Sequence, residues 1–302
     1  MKKFFTLVAA ALTAATFSAN AAVLLTEDFN FEPGTAMYGA NGWLHYGLGE
    51  GFEIKTVDDA LTLEGYRSEP VGSAVNITGE NGEDVIKAFS DQNITSGTIY
   101  VSALIKVTEV GIKSYFLTMV PSNGSNTIAD KIATTEYGRL GALQGSKDNT
   151  FKFYLARGSA NNTTVTEEDF NVGEVYQVVY SYTFDASATK NDLVQLWVNP
   201  ATNEEECEPT LVHKDTKSND ASKLMGIELR QAGVTSGKGN TVVIDALRVA
   251  NTWKDAFVTE PTTAVADLNV EKVNSVRKYV ENGQVVIENN GVKYNIAGQV
   301  IK

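Results

Sequence analysis

Residues 97–110 read GTIYVSALIKVTEV, and this stretch decides the fold. Ile99, Val101, Ala103, Ile105 and Val107 fall on one side of an extended chain, while Tyr100, Ser102, Leu104 and Lys106 fall on the other. A period of two with one fully apolar face belongs to a strand; a helix would space its apolar residues three and four apart. The same alternation recurs in SYFLTMV (114–120), FKFYLA (151–156), VYQVVYSYTF (175–184), LVQLWV (193–198), GIELRQ (226–231) and TVVIDALRVA (241–250). Between these runs lie PSNGSN, QGSKDN and RGSANNTT, clusters of turn-forming residues with no helical pattern among them. Many strands joined by polar turns predict an all-β chain, an antiparallel two-sheet jelly-roll sandwich, and exclude a βαβ fold. In 175–184 the row Tyr176, Val178, Tyr180, Tyr182 lies opposite Gln177, Val179, Ser181, Thr183. One row is expected in the intersheet core and the other on a concave or exposed face.

Outward from these strands the chain divides into four parts. Met1, Lys2 and Lys3, an apolar run from Phe4 to Phe17 and the small-x-small triplet at 19–21 predict a cleaved signal peptide over 1–21. Its removal would leave 23 basic against 37 acidic residues, a net charge of −14. So acidic a chain repels phosphate backbones and anionic lipid, which argues against nucleic-acid partners and, with no later apolar span, against membrane insertion. The sandwich is placed at 22–257, a polar linker with Pro261 at 258–276, and a short closing β-hairpin at 277–302 around the Asn-Asn-Gly turn of VVIENNGVKYNI. The one cysteine, Cys207, lies in the acidic stretch ATNEEECEPT, so stability must come from packing rather than an internal disulfide framework.

Enzyme signatures are absent from the sequence. The two histidines, His45 and His213, are read as loop residues far apart, and neither a G-x-S-x-G elbow nor a zinc-spaced His and Cys cluster occurs. GVTSGKGN (233–240) has the wrong spacing for a phosphate loop and precedes a strand, so it reads as a hairpin turn, and GLGEG (47–51) reads as a loop. The acidic stretches GENGED (79–84) and TEEDF (166–170) sit among turn residues and are expected to be solvated loops.

LLTEDFNFEPG and NGW near the start, the strands quoted above, GRLGAL and finally VVIDALRVANTWKDA together resemble the concanavalin A-like, laminin G-like jelly rolls of secreted Bacteroidetes proteins. The resemblance implies the sandwich fold and a lectin-like, appended or surface role. The laminarinase-like hydrolases of that fold carry E-x-D-x-E on one strand, which this sequence lacks. Asp245, in IDALRV, occupies the position where such jelly rolls hold a structural calcium, with Glu27 and Asp28 as the expected partners. The alternative is that Asp245 pairs with Arg230 or Arg248 or caps a loop. For sugar binding the candidates are an aromatic platform of Trp197, Tyr180 and Tyr182 with the polar groups of Asn199, Arg230 and Gln231, each of which could equally be packing. Trp43 and Trp253 are read as core. The tail, with Tyr294, Gly298 and Lys302, is similar to the end of the sorting domain of the type IX (Por) secretion system, although the longer form's upstream segment is missing. That similarity implies export machinery as a partner and an extracellular or cell-surface location. The resulting expectation is a secreted noncatalytic sandwich binding a glycan or another surface polymer. The alternatives are a structural or adhesion protein and an unrecognised polysaccharide-active enzyme.

Overall fold

The computed structural model describes residues 23–47, 51–66, 73–80, 82–124, 127–232, 237–258, 277–281, 284–289, 292–295 and 299–301. The expected signal peptide and nearly all of the expected linker lie outside the described residues. The chain forms two compact units, 1–260 and 261–302.

The first unit is an antiparallel β-sandwich. Its first sheet runs, from one edge, β14 (Leu211–His213), β13 (Leu193–Val198), β12 (Val175–Phe184), β6 (Gly97–Glu109), β16 (Thr241–Ala250), β4 (Ala74–Ile77) and β3 (Lys55–Val57), with β1 (Val23–Glu27) also paired to β16. The second sheet runs β10 (Thr164–Val165), β9 (Thr150–Ala156), β8 (Tyr137–Gln144), β7 (Ser114–Val120), β15 (Gly226–Leu229), β5 (Asp84–Ala88) and β2 (Leu44–Tyr46), with β11 (Phe170–Asn171) also on β9. Runs of consecutive strands, β12 to β14 and β7 to β10, are joined in each sheet to strands distant in sequence, β6 lying between β12 and β16 and β15 between β7 and β5, as a jelly roll requires. His45 and His213 thus sit on strands β2 and β14 rather than in loops.

The alternation places the core. Ile99, Val101, Ala103, Ile105 and Val107 of β6 and Tyr176, Val178, Tyr180 and Tyr182 of β12 meet Phe116, Leu117, Leu140, Phe151, Phe153, Ile227 and Leu229 of the second sheet in one buried cluster. The outer face of the first sheet is covered in two places. Tyr100, Val179 and Trp197 pack under the one-turn helix α1 (Trp253–Ala256) with Phe257, and Leu104 and Val243 pack under Leu61. Thr252 caps α1 by accepting from the Asp255 amide, and the Ser102 hydroxyl donates to the Ala256 carbonyl, which fastens the helix to β6.

The second unit contains β17 (Arg277–Glu281), β18 (Gln284–Asn289), β19 (Val292–Tyr294) and β20 (Val300–Ile301), paired in chain order. The expected hairpin is present as β18 and β19. It is flanked by two further strands, so the described strands form a four-stranded meander rather than an isolated pair.

Candidate functional face of the second sheet

The residues expected to bind sugar do not come together. Tyr180 and Tyr182 are fully buried between the sheets, and the Tyr182 hydroxyl donates to Asp192 Oδ2 at 2.6 Å. Trp197 is buried under α1, its indole N–H donating to the Cys207 carbonyl at 2.7 Å. Strand alternation explains the split, because Trp197 and the tyrosines project to opposite faces of the first sheet. Asn199 closes the turn after β13 in a left-handed conformation (φ 49°), and its side-chain oxygen accepts from the Gln177 amide at 2.8 Å. Gln231 is buried as a fastener: its amide donates to Asp84 Oδ1, its side-chain oxygen accepts from Thr78, and its side-chain nitrogen donates to the Phe52 carbonyl. Of the six, Arg230 lines a cavity of the second sheet.

Of the expected calcium ligands, Glu27 faces the core while Asp28 and Asp245 lie near each other on the outer face. Glu27 is opposite core-facing Leu247 and accepts from Lys87 Nζ (2.6 Å), Asn41 Nδ2 (3.0 Å) and Trp43 Nε1 (3.1 Å), so its carboxylate is already neutralised. Asp28, the next residue, turns to the other face and lines a cleft of about 200 Å³ with Thr26, Ser102, Gln177 and Arg248. Asp245 is buried and accepts from the amides of Leu61 (2.8 Å) and Ala246 (2.7 Å). These bonds hold a bulge in β16 where the register against β6 shifts between Asp245 and Arg248 and Ala246 adopts φ 49°. Asp245 therefore caps loops, one of the two readings left open by the sequence. Burial, with Asp28 and Asp59 nearby, pushes its pKa up to about 7. Among the described residues no group of three His, Cys, Asp or Glu side chains is placed to hold a metal ion.

The outer face of the second sheet carries the chemistry the sequence reading missed. On β15, Ile227 and Leu229 point into the core, so Gly226, Glu228 and Arg230 line the outer face. One end of this face is roofed. Tyr46, Ile86 and Val120 pack under Ile128 of the β7–β8 connection, which is strapped down by Tyr46 Oη to the Thr134 carbonyl (2.6 Å) and by the His45 amide to Asp130 Oδ1 (3.0 Å). The other end is open, with a cavity of about 310 Å³ lined by Lys113, Tyr115, Tyr154, Asn161, Arg230 and Ala232 among others. Tyr115 and Tyr154 form its floor. They flank Gly141 across β8, where an added Cβ would lie 2.5 Å from the Tyr154 ring and from the Ser114 carbonyl, so only glycine lets the ring lie there.

Four charged groups hold this floor. Arg139 and Arg230 stand over the Tyr115 ring, 4.8 and 4.2 Å from its centroid, and Lys113 Nζ is 4.8 Å from that of Tyr154. Arg139 is committed to Glu136 (2.8 Å) and to the Gly158 carbonyl, and Glu136 also accepts from the Tyr115 hydroxyl at 2.5 Å. Between the roofed and open ends sits Glu228, fully buried, with neither oxygen bonded to any described residue. Burial first, then the charges of Glu136 and Asp84, push its pKa well above the carboxylate range, so the neutral acid is favoured. Burial likewise raises Asp84 to about 7 against the opposing effect of Arg230. The stretch GENGED is accordingly not a solvated loop: Asp84 starts β5, and buried Glu83 accepts from the Ile54 amide at 3.1 Å.

His213 is buried, with one ring nitrogen on Asp215 (3.0 Å) and the other on Thr164 (2.9 Å). It ties the edge strands β14 and β10 together.

No protein-family model and no curated protein matches the sequence. Solved structures align along most of the chain at low scores. Domain 4 of AbnA, an extracellular arabinanase of Geobacillus stearothermophilus, bound to arabinotriose, aligns at 12% identity over 80% of this chain and 96% of that one, with a TM-score of 0.43. A variant of the alginate lyase Aly36B with an alginate trisaccharide aligns at 10% identity over 75% and 97%, TM-score 0.44. A structure from work on endo-acting O-glycanases of the human gut microbiota aligns at 14% identity over 76% and 99%, TM-score 0.40. Scores this low carry no functional argument, and function has to be read from the residues of the face.

Proposed function

We propose that the protein is a secreted, noncatalytic β-sandwich that binds a glycan on the open end of its second sheet. The observation that carries this reading is the cavity of about 310 Å³, floored by Tyr115 and Tyr154 and rimmed by Arg230, Lys113 and Asn161. A concave site with a few convergent hydrogen-bonding groups over an aromatic floor suits a sugar ring. Among the described residues no helix is long and apolar enough to cross a membrane, and the tail's likeness to a sorting-domain terminus supports delivery to the cell surface. Affinity electrophoresis of the full chain through gels containing host and microbial polysaccharides tests the binding. Retardation by at least one glycan, reduced in Asn161→Ala, is expected, and uniform migration across the panel would overturn the reading.

A second reading has one observation in its favour. Asp84 titrates near neutrality and neutral Glu228 shares its face, a pairing of carboxyl groups in different protonation states that glycan-active enzymes use. Release of reducing ends or unsaturated products from a bound glycan, lost in Asp84→Asn, would move the protein into that class.

A further inference from the structure

We propose that the cavity of the second sheet selects acidic glycans, with the Arg230 guanidinium receiving the carboxylate of a uronate residue and Lys113 flanking it. This rests on the glycan reading above and names its ligand class.

Three features of the face carry the inference. The first is the state of Arg230. It is half-buried on the cavity wall and stacks over Tyr115, yet its guanidinium makes no ion pair or hydrogen bond to any described residue. Arg139, over the same ring, is occupied by Glu136 and Gly158. A guanidinium held by a ring, with its donor fork unused, presents the planar pattern that matches a carboxylate in two parallel hydrogen bonds.

The second feature is what covers the floor. A neutral sugar stacks on an exposed aromatic face, but Tyr154 is 1% exposed and Tyr115 9%, because Lys113 and the arginines stand over them. A ligand entering this cavity meets cations before it meets rings. Lys113 is exposed and uses one N–H on Thr163 Oγ1 (2.6 Å), leaving donors for a second contact.

The third is that the neighbouring acids lie near Arg230 without pairing with it. Glu136 is paired with Arg139, Glu228 is buried where the neutral form is favoured, and Asp84, raised by burial to about 7, is mostly neutral below that pH. In a chain with a formal net charge of −12, this is a local positive site on an otherwise repelling surface. That combination suppresses nonspecific attraction of polyanions and reserves binding for those that fit the cavity.

The test uses the full chain and four uronate polymers: polygalacturonate, alginate, glucuronan and hyaluronan. Each is paired with its carboxyl-reduced neutral counterpart and run at pH 6 in low salt beside a panel of natural neutral glycans. At least tenfold tighter binding to one acidic polymer than to its reduced form is expected, with the difference lost in Arg230→Gln and partly kept in Arg230→Lys. Equal binding of a polymer and its reduced form, or binding of neutral glycans alone, overturns the acidic selection while the glycan reading stands. Binding to none of the polymers overturns both. Melting curves of the variants identify any that misfold; should Arg230→Gln do so, Lys113→Gln, on the exposed rim, replaces it, and unchanged discrimination in a folded variant also overturns the proposal.

Discussion

At Glu228 a carboxyl group occupies the middle of a central strand, where an apolar or small residue would pack without cost. Its folded-state pKa lies above the unfolded value near 4.3, so above that pH the folded chain holds a proton that the unfolded chain has released. Stability from this group is therefore full at low pH and falls as pH rises, by about 1.4 kcal/mol per pH unit while the proton is retained. Glu228→Gln carries no such proton. Its melting temperature should match the parent near pH 4 and exceed it by a margin that grows on the way to pH 7, roughly 3–6 °C per unit for a domain of this size. Thermal melts at four pH values check this. Gly141→Ala acts on the same face by geometry. With 2.5 Å to both the Tyr154 ring and a backbone carbonyl, the methyl must displace the floor, and a loss of about 1–3 kcal/mol together with weakened glycan retardation is expected. Glu228 in GIELRQ falls on the polar row of a regular alternation, so its position on the outer face was legible in the sequence. Its meaning was not, because burial of both oxygens depends on the roof over β15, a long-range contact that alternation does not encode.

Among the elements, the strands were legible and their covers were not. The two faces of β6 and β12 follow the alternation directly. Trp197, also on a clean strand, belongs to an outer face that only the four-residue helix α1 turns into an interior, and a helix of one turn leaves no periodic signal. The bulge in β16 is similar: IDALRV reads as regular, yet Asp245 and Ala246 depart from the register and the carboxylate tethers the segment at Leu61. Asp245→Ala removes the carboxylate that accepts from the Leu61 and Ala246 amides. It should lower stability by about 1–3 kcal/mol, and by the same amount in EDTA as in calcium, when followed by chemical denaturation. Trp253→Ala, which strips the main aromatic from α1, should cost about 3–5 kcal/mol and leave glycan binding on the opposite sheet unchanged in the remaining folded protein.

On the scale of the whole molecule, charge and organisation set the conditions of binding. The groups facing Arg230 are Asp84 on β5, Glu228 on its own strand, Tyr115 on β7 and Arg139 with Glu136 at β8, and of these Asp84 is raised by burial to about 7. Ionisation of Asp84 supplies an internal anion beside Arg230, so retention of an acidic glycan should weaken as pH rises through about 7 and weaken with salt at any pH. Titration calorimetry between pH 5.5 and 8.5 measures it. Since 1–260 and 261–302 are separate compact units, deletion of 277–302 should leave the sandwich's melting temperature nearly unchanged while altering where the protein is found in fractionated cells.

The buried acid of β15 also bears on how the sandwich opens. Sheets ordinarily loosen from their edges, since edge strands have one neighbour and interior strands two. Here alkali acts on an interior strand instead, because the group that resists ionisation sits on β15 with β7 and β5 on either side. Amide hydrogen exchange, corrected for its intrinsic pH dependence, should therefore lose protection with rising pH first in β5, β7 and β15, before the edge strands β10 and β14.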